Sequence, residues 1–349
     1  MKKETQKIQK RKILLIDVDS SIPNLALMKL STHYKQLGCE VKLIKLGYSG
    51  FKVSKKKSVI DAKDYDEVFC SIIFTANKDV VEVKNCLSQD FGGTGYEIEK
   101  KLPDEIEHCE PDFSLYPEND ECIGFFSRGC IRNCEFCFVR RKEGYLHKYD
   151  DWRVIKATAD KFGLKKIRFL DNNFLANPDC EKTMQELIEA NVNCSFNEGL
   201  DFRLIDEKKA ELLSKLRYYP TEYIFAFDNV NYMPEIIEKY KILKKYVKRD
   251  WGIKFYCYVN ANMPIEDTVK RIEWCRANKA LCFIMRDVNC HVGEYKDFFS
   301  DVATYCQNVG WFKKFTFSQF MKVAHQKNTG RMLKHVLLYN NKSQKVSWK

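Results

Sequence analysis

The 349-residue chain has no apolar run approaching the length that spans a bilayer, which argues against a membrane protein. Its opening, Met1-Lys-Lys-Glu-Thr-Gln, is polar and shows no secretory leader, so the expected compartment is the cytoplasm. No Gly-x-Gly-x-x-Gly follows the first apolar run, which removes the usual ground for a dinucleotide site. The fifteen cysteines are an odd number and do not cluster as a disulfide framework would; thiols kept reduced fit better. Acidic residues are absent from 311–349, where nine Lys or Arg stand. With five net charges in 1–12, the two ends carry more than the whole net charge of +11, and 13–310 is mildly acidic. Basic ends suit nucleic acid or another polyanion. Trp311, Phe312, Phe315, Phe317, Phe320, Tyr339 and Trp348 are interleaved there, as base stacking would require. An ordinary solvated basic face over a core is the blander reading.

What is present is more specific. Cys130, Cys134 and Cys137 lie in Ser127-Arg-Gly-Cys-Ile-Arg-Asn-Cys-Glu-Phe-Cys-Phe138, a Cys-x3-Cys-x2-Cys spacing. Thiolates select iron–sulfur clusters, zinc or copper(I), and ordinary cubane or structural zinc sites take four protein ligands. Three ligands leave one metal position open to substrate. His147, ten residues on, is the candidate fourth ligand of a zinc knuckle, at a spacing outside the usual finger patterns. Most of the other twelve cysteines, such as Cys70, Cys257 and Cys282, sit in apolar runs and read as small buried hydrophobes.

The triplet, with the aromatic Phe136 before its third cysteine, resembles the radical S-adenosylmethionine enzymes. The leading Ser-Arg-Gly-Cys is similar to the branch with an N-terminal cobalamin-binding-type domain. The resemblance implies a 4Fe-4S cluster on Cys130, Cys134 and Cys137, with S-adenosyl-L-methionine on the open iron and Phe136 near its adenine. It also implies a one-electron reductant of flavodoxin or ferredoxin type. The cobalamin signature of that branch, Asp-x-His-x-x-Gly, is missing: the matching loop reads Asp17-Val-Asp-Ser-Ser-Ile22. This argues against a His-ligated cobalamin.

Residues 12–48 read strand, helix, strand, with Pro23 and Asn24 starting the helix and Gly38 closing it. Glu67–Phe74 reads as another buried strand, so 1–100 is expected to be a Rossmann-like parallel-sheet domain. Gly92-Gly-Thr-Gly-Tyr96 is either a phosphate cradle or a turn. Pro103, Pro111 and Pro117 mark 101–121 as an irregular linker.

From 124 onward, apolar strands alternate with amphipathic helices. The strands are expected at Gly124–Phe126, Lys166–Leu170, Val192–Phe196, Glu222–Phe227, Ile253–Val259 and Ala280–Met285. Six βα units predict a partial (β/α)6 TIM-like barrel over 122–320, followed by a basic extension over 321–349. Polar residues follow the strands: Asp171, Asn172, Asn173, Glu198, Asp228, Asn260, Arg286 and Asp287. In βα barrels that rim is the active site, although Asp and Asn also cap the helices that follow. The resemblance implies that Asp171, Asn172 and Asn173 meet the amino end of the cofactor and Glu198 its methionyl part. Arg203 would then take its carboxylate and Asp228 a ribose hydroxyl. Pairing of Arg203 with Asp201 or Asp206 is the structural alternative. The expected function is hydrogen abstraction from an unidentified substrate; a zinc-stabilised nucleic-acid-binding protein is the non-catalytic alternative.

Overall fold

The computed structural model describes residues 10–48, 56–196, 198–220 and 222–324. Asn197, Tyr339, Trp348 and most of both basic ends lie outside the described residues. Two compact units divide the chain, Met1–Arg168 and Phe169–Lys349. Both are α/β with mostly parallel sheets. No helix among the described residues is long and apolar enough to cross a membrane.

The first unit is built on β1 (Lys12–Asp17), α1 (Leu25–Gln36), β2 (Glu40–Lys45), β3 (Ser58–Asp61), β4 (Glu67–Ser71), β5 (Val81–Lys84) and β6 (Ser88–Gly92). The sheet order is β2-β1-β4-β6, all parallel, with β3 and β5 forming a separate parallel pair. The central strand β1 is buried on both faces, which is why Ile13 to Ile16 form an unbroken apolar run. Ile13 and Leu15 pack with Leu27, Leu30 and Ile106; Leu14 and Ile16 pack with Val68, Cys70 and Ile72. Burial of each such side chain contributes about 1.5–3 kcal/mol. Asn24 caps α1, its Oδ1 accepting from the Leu27 amide at 3.2 Å.

The glycine run at 92–96 is a packed turn. A Cβ on Gly93 would lie 2.3 Å from the Ile72 carbonyl oxygen, and one on Gly95 would lie 2.4 Å from the Phe74 carbonyl carbon. The amide of Gly95 donates to Ile72 O at 2.9 Å, so the glycines let two backbones touch. The expected linker is also more ordered than its prolines suggested. It holds α2 (Asp104–Glu107), with Pro103 at the cap position and Ile106 buried, and a 3-10 turn at Phe113–Leu115. The prolines mark where these turns begin rather than an absence of structure.

The unit continues through β7 (Glu121–Gly124), β8 (Ser127–Arg128), α3 (Val139–Glu143), β9 (His147–Lys148), α4 (Trp152–Lys161) and β10 (Lys166–Phe169), with β10 beside β7. Of the strand expected at Gly124–Phe126 only Gly124 is in a strand, the end of β7; Phe125 and Phe126 connect β7 to β8. β8 and β9 pair antiparallel as the base of the cysteine hairpin.

The second unit contains α5 (Cys180–Glu189), β11 (Cys194–Phe196), β12 (Leu200–Asp201), α6 (Glu207–Lys215), β13 (Tyr223–Ala226) and α7 (Met233–Tyr246). It continues with β14 (Ile253–Val259), α8 (Ile265–Ala277), β15 (Leu281–Arg286), α9 (Lys296–Gln307), α10 (Val309–Lys314) and α11 (Phe317–Ala324). β12, β13, β14 and β15 form a parallel sheet in chain order, the product of repeated strand–helix units. Strand β12, two residues long, was not expected from the sequence. On β14 the residues alternate, with Ile253, Phe255, Cys257 and Val259 fully buried and Lys254, Tyr256 and Tyr258 partly exposed.

The aromatics interleaved with basic residues near 311–320 are largely core. Phe312, Phe317 and Phe320 are at most 2% exposed and pack around Tyr305. They are therefore closed to base stacking, and hydrophobic burial of α9–α11 accounts for their spacing.

Candidate functional site

The cysteine triplet lies on the hairpin loop between β8 and β9. Gly129, just before Cys130, has φ +80°, and a Cβ there would stand 2.2 Å from the Tyr145 carbonyl oxygen. Only glycine passes this point, so the direction in which Cys130 leaves the strand is set by a close backbone approach. The Cys130 amide donates to Gly144 O at 3.3 Å, and the Cys137 amide to Cys134 O at 3.0 Å. The Arg132 amide donates to Cys130 Sγ at 3.3 Å. Arg140 holds the Cys130 carbonyl at 3.1 Å while its guanidinium lies over the Tyr145 ring. Cys130 and Cys134 are half-buried, Cys137 is exposed, and all fifteen cysteines are reduced. Phe136 is 42% exposed at the loop surface. His147 stands on β9, its Nδ1 2.8 Å from the Tyr145 carbonyl oxygen.

The hairpin base is held by a charged network the sequence did not reveal. Arg128 Nη1 lies 2.6 Å from Glu107 Oε1, and its Nε 3.1 Å from Glu143 Oε2. Lys29 Nζ reaches Glu107 Oε1 at 3.0 Å and the Tyr149 hydroxyl at 2.7 Å. The Arg128 guanidinium lies over the rings of Phe125 and Tyr149. Burial pushes the Lys29 ammonium below its usual range, against the pull of Glu107. Burial works against ionised Glu107, but Lys29, the Tyr149 hydroxyl and Arg128 outweigh it and hold the carboxyl low. A cavity of about 700 Å³ opens beside this network, lined by Lys29, His33, Lys101, Glu107, Arg128 and Lys148 among others.

In the second unit the structure gathers some of the expected polar residues at the strand ends. Asp228 Oδ1, after β13, accepts the Tyr258 amide at 3.0 Å. Burial pushes its carboxyl up to about 6, although the Tyr258 amide, Arg271 and Arg203 all favour the anion. The Tyr258 hydroxyl donates to Asp287 Oδ2 at 2.7 Å, and Asp287 Oδ1 accepts the Asn289 amide at 3.1 Å. Arg203 engages Asp201 in its own loop, with Nε to Oδ1 at 2.7 Å and Nη2 to Oδ2 at 3.1 Å. The same guanidinium lies over the Tyr232 ring. Asp171 and Asn173 are buried, Asn172 is half-buried and Glu198 is exposed. Asn229 and Asn260 act as turn caps, accepting the amides of Asn231 and Asn262 at 2.9 Å.

Sequence reasoning missed Arg271. It is 1% exposed on α8 and donates from Nη1 to the carbonyls of Phe227 and Tyr258 at 2.8 and 3.0 Å. It thus ties the ends of β13 and β14 below Asp228. The available signal was a cation in step with the buried face formed by Ile265, Thr268, Ile272 and Cys275.

No family model matches the chain, and no curated protein matches it.

Proposed function

We propose that the chain is a radical S-adenosylmethionine enzyme, with a Rossmann-like domain over 1–100 and a partial (β/α)6 barrel over 122–320. The carrying observation is the cysteine hairpin, in which three reduced thiols at Cys-x3-Cys-x2-Cys spacing are launched from a glycine that admits no side chain. The donor set fits a 4Fe-4S cluster. Thiolate sulfur is its standard ligand, and the Arg132 amide offers an N–H···S hydrogen bond of the kind that tunes such clusters. A bound cluster would supply one electron to the sulfonium of S-adenosyl-L-methionine, giving methionine and a 5′-deoxyadenosyl radical for hydrogen abstraction.

The residues of the chain bind and orient. Cys130, Cys134 and Cys137 would hold the cluster, and the backbone of Phe136 would lie near the adenine. Asp228 accepts a hydrogen bond from a ribose hydroxyl when ionised, and Asp171, Asn172, Asn173 and Glu198 provide polar contacts for the methionyl end. Arg203 already holds Asp201 through two parallel hydrogen bonds, the structural alternative, and would meet the cofactor's carboxylate only by sharing or exchanging that pairing. The electron would come from a small flavodoxin- or ferredoxin-type protein, and the hydrogen donor is an unidentified substrate, for which the basic ends suit nucleic acid or another polyanion.

Anaerobic reconstitution, iron and sulfide analysis and electron paramagnetic resonance test the reading. We expect about four iron and four sulfide per chain and formation of 5′-deoxyadenosine after reduction with S-adenosylmethionine present. Replacing all three cysteines by Ala should abolish both. Survival of the cluster signal in that variant would sink the assignment, and a single zinc retained by the unaltered hairpin would favour the nucleic-acid-binding alternative.

A further inference from the structure

A second group of thiols lies in the second unit, buried and separate from the strand ends. Cys257 is on β14, Cys275 on α8, Cys282 on β15 and Cys306 on α9, four elements that converge from positions up to 49 residues apart. All four are at most 3% exposed. Cys257 belongs to the fully buried side of β14, the side that packs Phe255 against Trp274 of α8, opposite Tyr256 and Tyr258. The sulfurs of Cys257, Cys275 and Cys282 all lie within 4.8 Å of one another, and those of Cys257 and Cys282 are 3.4 Å apart. Cys306 pairs with Cys282 but lies outside the group of three sulfurs that are within 4.8 Å of one another.

These separations have a chemical meaning. Four thiolates about 2.3 Å from one zinc ion stand roughly 3.8 Å apart at the edges of a tetrahedron. The three grouped sulfurs bracket that value. A cubane, which sets four irons between its ligand sulfurs, needs a wider spread. Charge points the same way. One turn before Cys275, Arg271 is a buried cation with no carboxylate paired to it among the described residues, and its Nε has no partner. Burial pushes the Cys257 thiol well up, and the Arg271 charge opposes this only in small part. A zinc ion with four thiolates carries two negative charges, and a buried guanidinium nearby offsets part of them.

We propose that Cys257, Cys275 and Cys282 form the core of a mononuclear structural metal site for a soft divalent ion of the zinc class, which Cys306 completes by turning in from Cys282 when metal binds, clamping β14 and β15 to α8 and α9. Binding is coordination without redox change: each thiol that becomes a ligand releases its proton to solvent. The site stands independently of the hairpin reading.

The test uses the full chain with Cys130, Cys134 and Cys137 changed to Ala, so that hairpin metal does not contribute. Because the site is buried, the ion is supplied during expression in zinc-supplemented medium, or as cobalt(II) during refolding. We expect one zinc per chain after gel filtration, or one cobalt with thiolate charge-transfer bands and the visible spectrum of a tetrahedral site. X-ray absorption at the zinc edge should show sulfur neighbours only. In the same background Cys282→Ser should weaken metal retention at least tenfold, while Cys122→Ser, a buried cysteine of the first unit, should leave it unchanged. Should Cys282→Ser fail to fold, the edge spectrum of the triple variant decides. Folded triple variant without stoichiometric metal, or metal bound through nitrogen and oxygen, overturns the proposal and leaves four hydrophobic thiols.

Discussion

Arg203 and Asp201, two residues apart, meet through two parallel hydrogen bonds of 2.7 and 3.1 Å. Their side chains are 16% and 7% exposed, so the pair is shielded but not sealed. Asp201 also accepts the Arg203 amide at 3.3 Å and so sets both ends of the arginine. Asp201→Ala should cost about 1.5–3 kcal/mol of stability, because it removes a charge-assisted pair of hydrogen bonds from a shielded guanidinium. Asp201→Asn, which keeps one acceptor, should cost less. Arg203→Ala should weaken S-adenosylmethionine binding about tenfold or more, a loss of ~1.4 kcal/mol, with a smaller effect on folding. Urea denaturation together with equilibrium binding separates the two. Equal binding by wild type and Arg203→Ala would remove the arginine from the cofactor site.

Asp228 predicts a pH dependence. Its carboxyl is raised to about 6 in the folded chain, chiefly by burial, and Tyr258, Arg271 and Arg203 only partly counter this. A raised carboxyl favours the protonated form in the folded state. The folded chain therefore binds more protons than the unfolded chain between the two values, and stability falls as pH rises. The penalty is absent below the unfolded value near 4, grows towards pH 6 and is complete above it. It amounts to a few kcal/mol, at about 1.4 kcal/mol per unit. Asp228→Asn should flatten this part of the stability curve measured by chemical denaturation from pH 4 to 7. An unchanged slope would show that Asp228 is better solvated than its surroundings indicate.

Gly129 and Gly163 make a matched pair for the hairpin. Both have positive φ, +80° and +70°, but nothing lies within 4 Å of a Cβ on Gly163. Gly163→Ala should cost about 1 kcal/mol, the left-handed backbone penalty alone. Gly129→Ala must also push the Tyr145 carbonyl aside, and should cost at least 2 kcal/mol while displacing Cys130. Iron retention after reconstitution should fall for Gly129→Ala and not for Gly163→Ala. Full iron content in both would mean that the hairpin tolerates a shifted first cysteine.

Glu107 is shared by Lys29, Arg128 and Tyr149, so its removal takes the carboxylate from Lys29 and leaves Arg128 with Glu143. Glu107→Ala should destabilise the chain by about 3–5 kcal/mol, and Glu107→Gln by less. Hydrogen exchange of residues 127–148 should accelerate before that of β1 and β4. Uniform acceleration across the first unit would show that the network supports the whole fold rather than the hairpin.

Much of the local architecture was legible because it is written in short-range patterns. The unbroken apolar run of β1 marks a strand covered on both faces, and the Asn24 cap and the amphipathic helices follow from spacing alone. The cysteine hairpin was legible for a similar reason: its chemistry depends on three residues within eight positions. Strand β12 was not, since two residues show no period and their pairing with β13 depends on a neighbour more than twenty residues away.

Other features could be read only from long-range packing. The glycines of 92–96 looked like a ligand loop until the backbone of Ile72–Phe74 was found against them. Aromatics 312, 317 and 320 suited a nucleic-acid face until Tyr305 and its neighbours enclosed them. The roles of Arg271 and the four converging thiols depend on which strand lies under which helix. By itself the sequence determined the element pattern and the close spacing of Cys130, Cys134 and Cys137, because both are local to the chain. Tertiary structure alone decided that Asp201 engages Arg203, that Glu107 anchors the hairpin and that Cys257, Cys275, Cys282 and Cys306 meet. Interactions across space depend on burial and relative orientation, which local spacing does not encode.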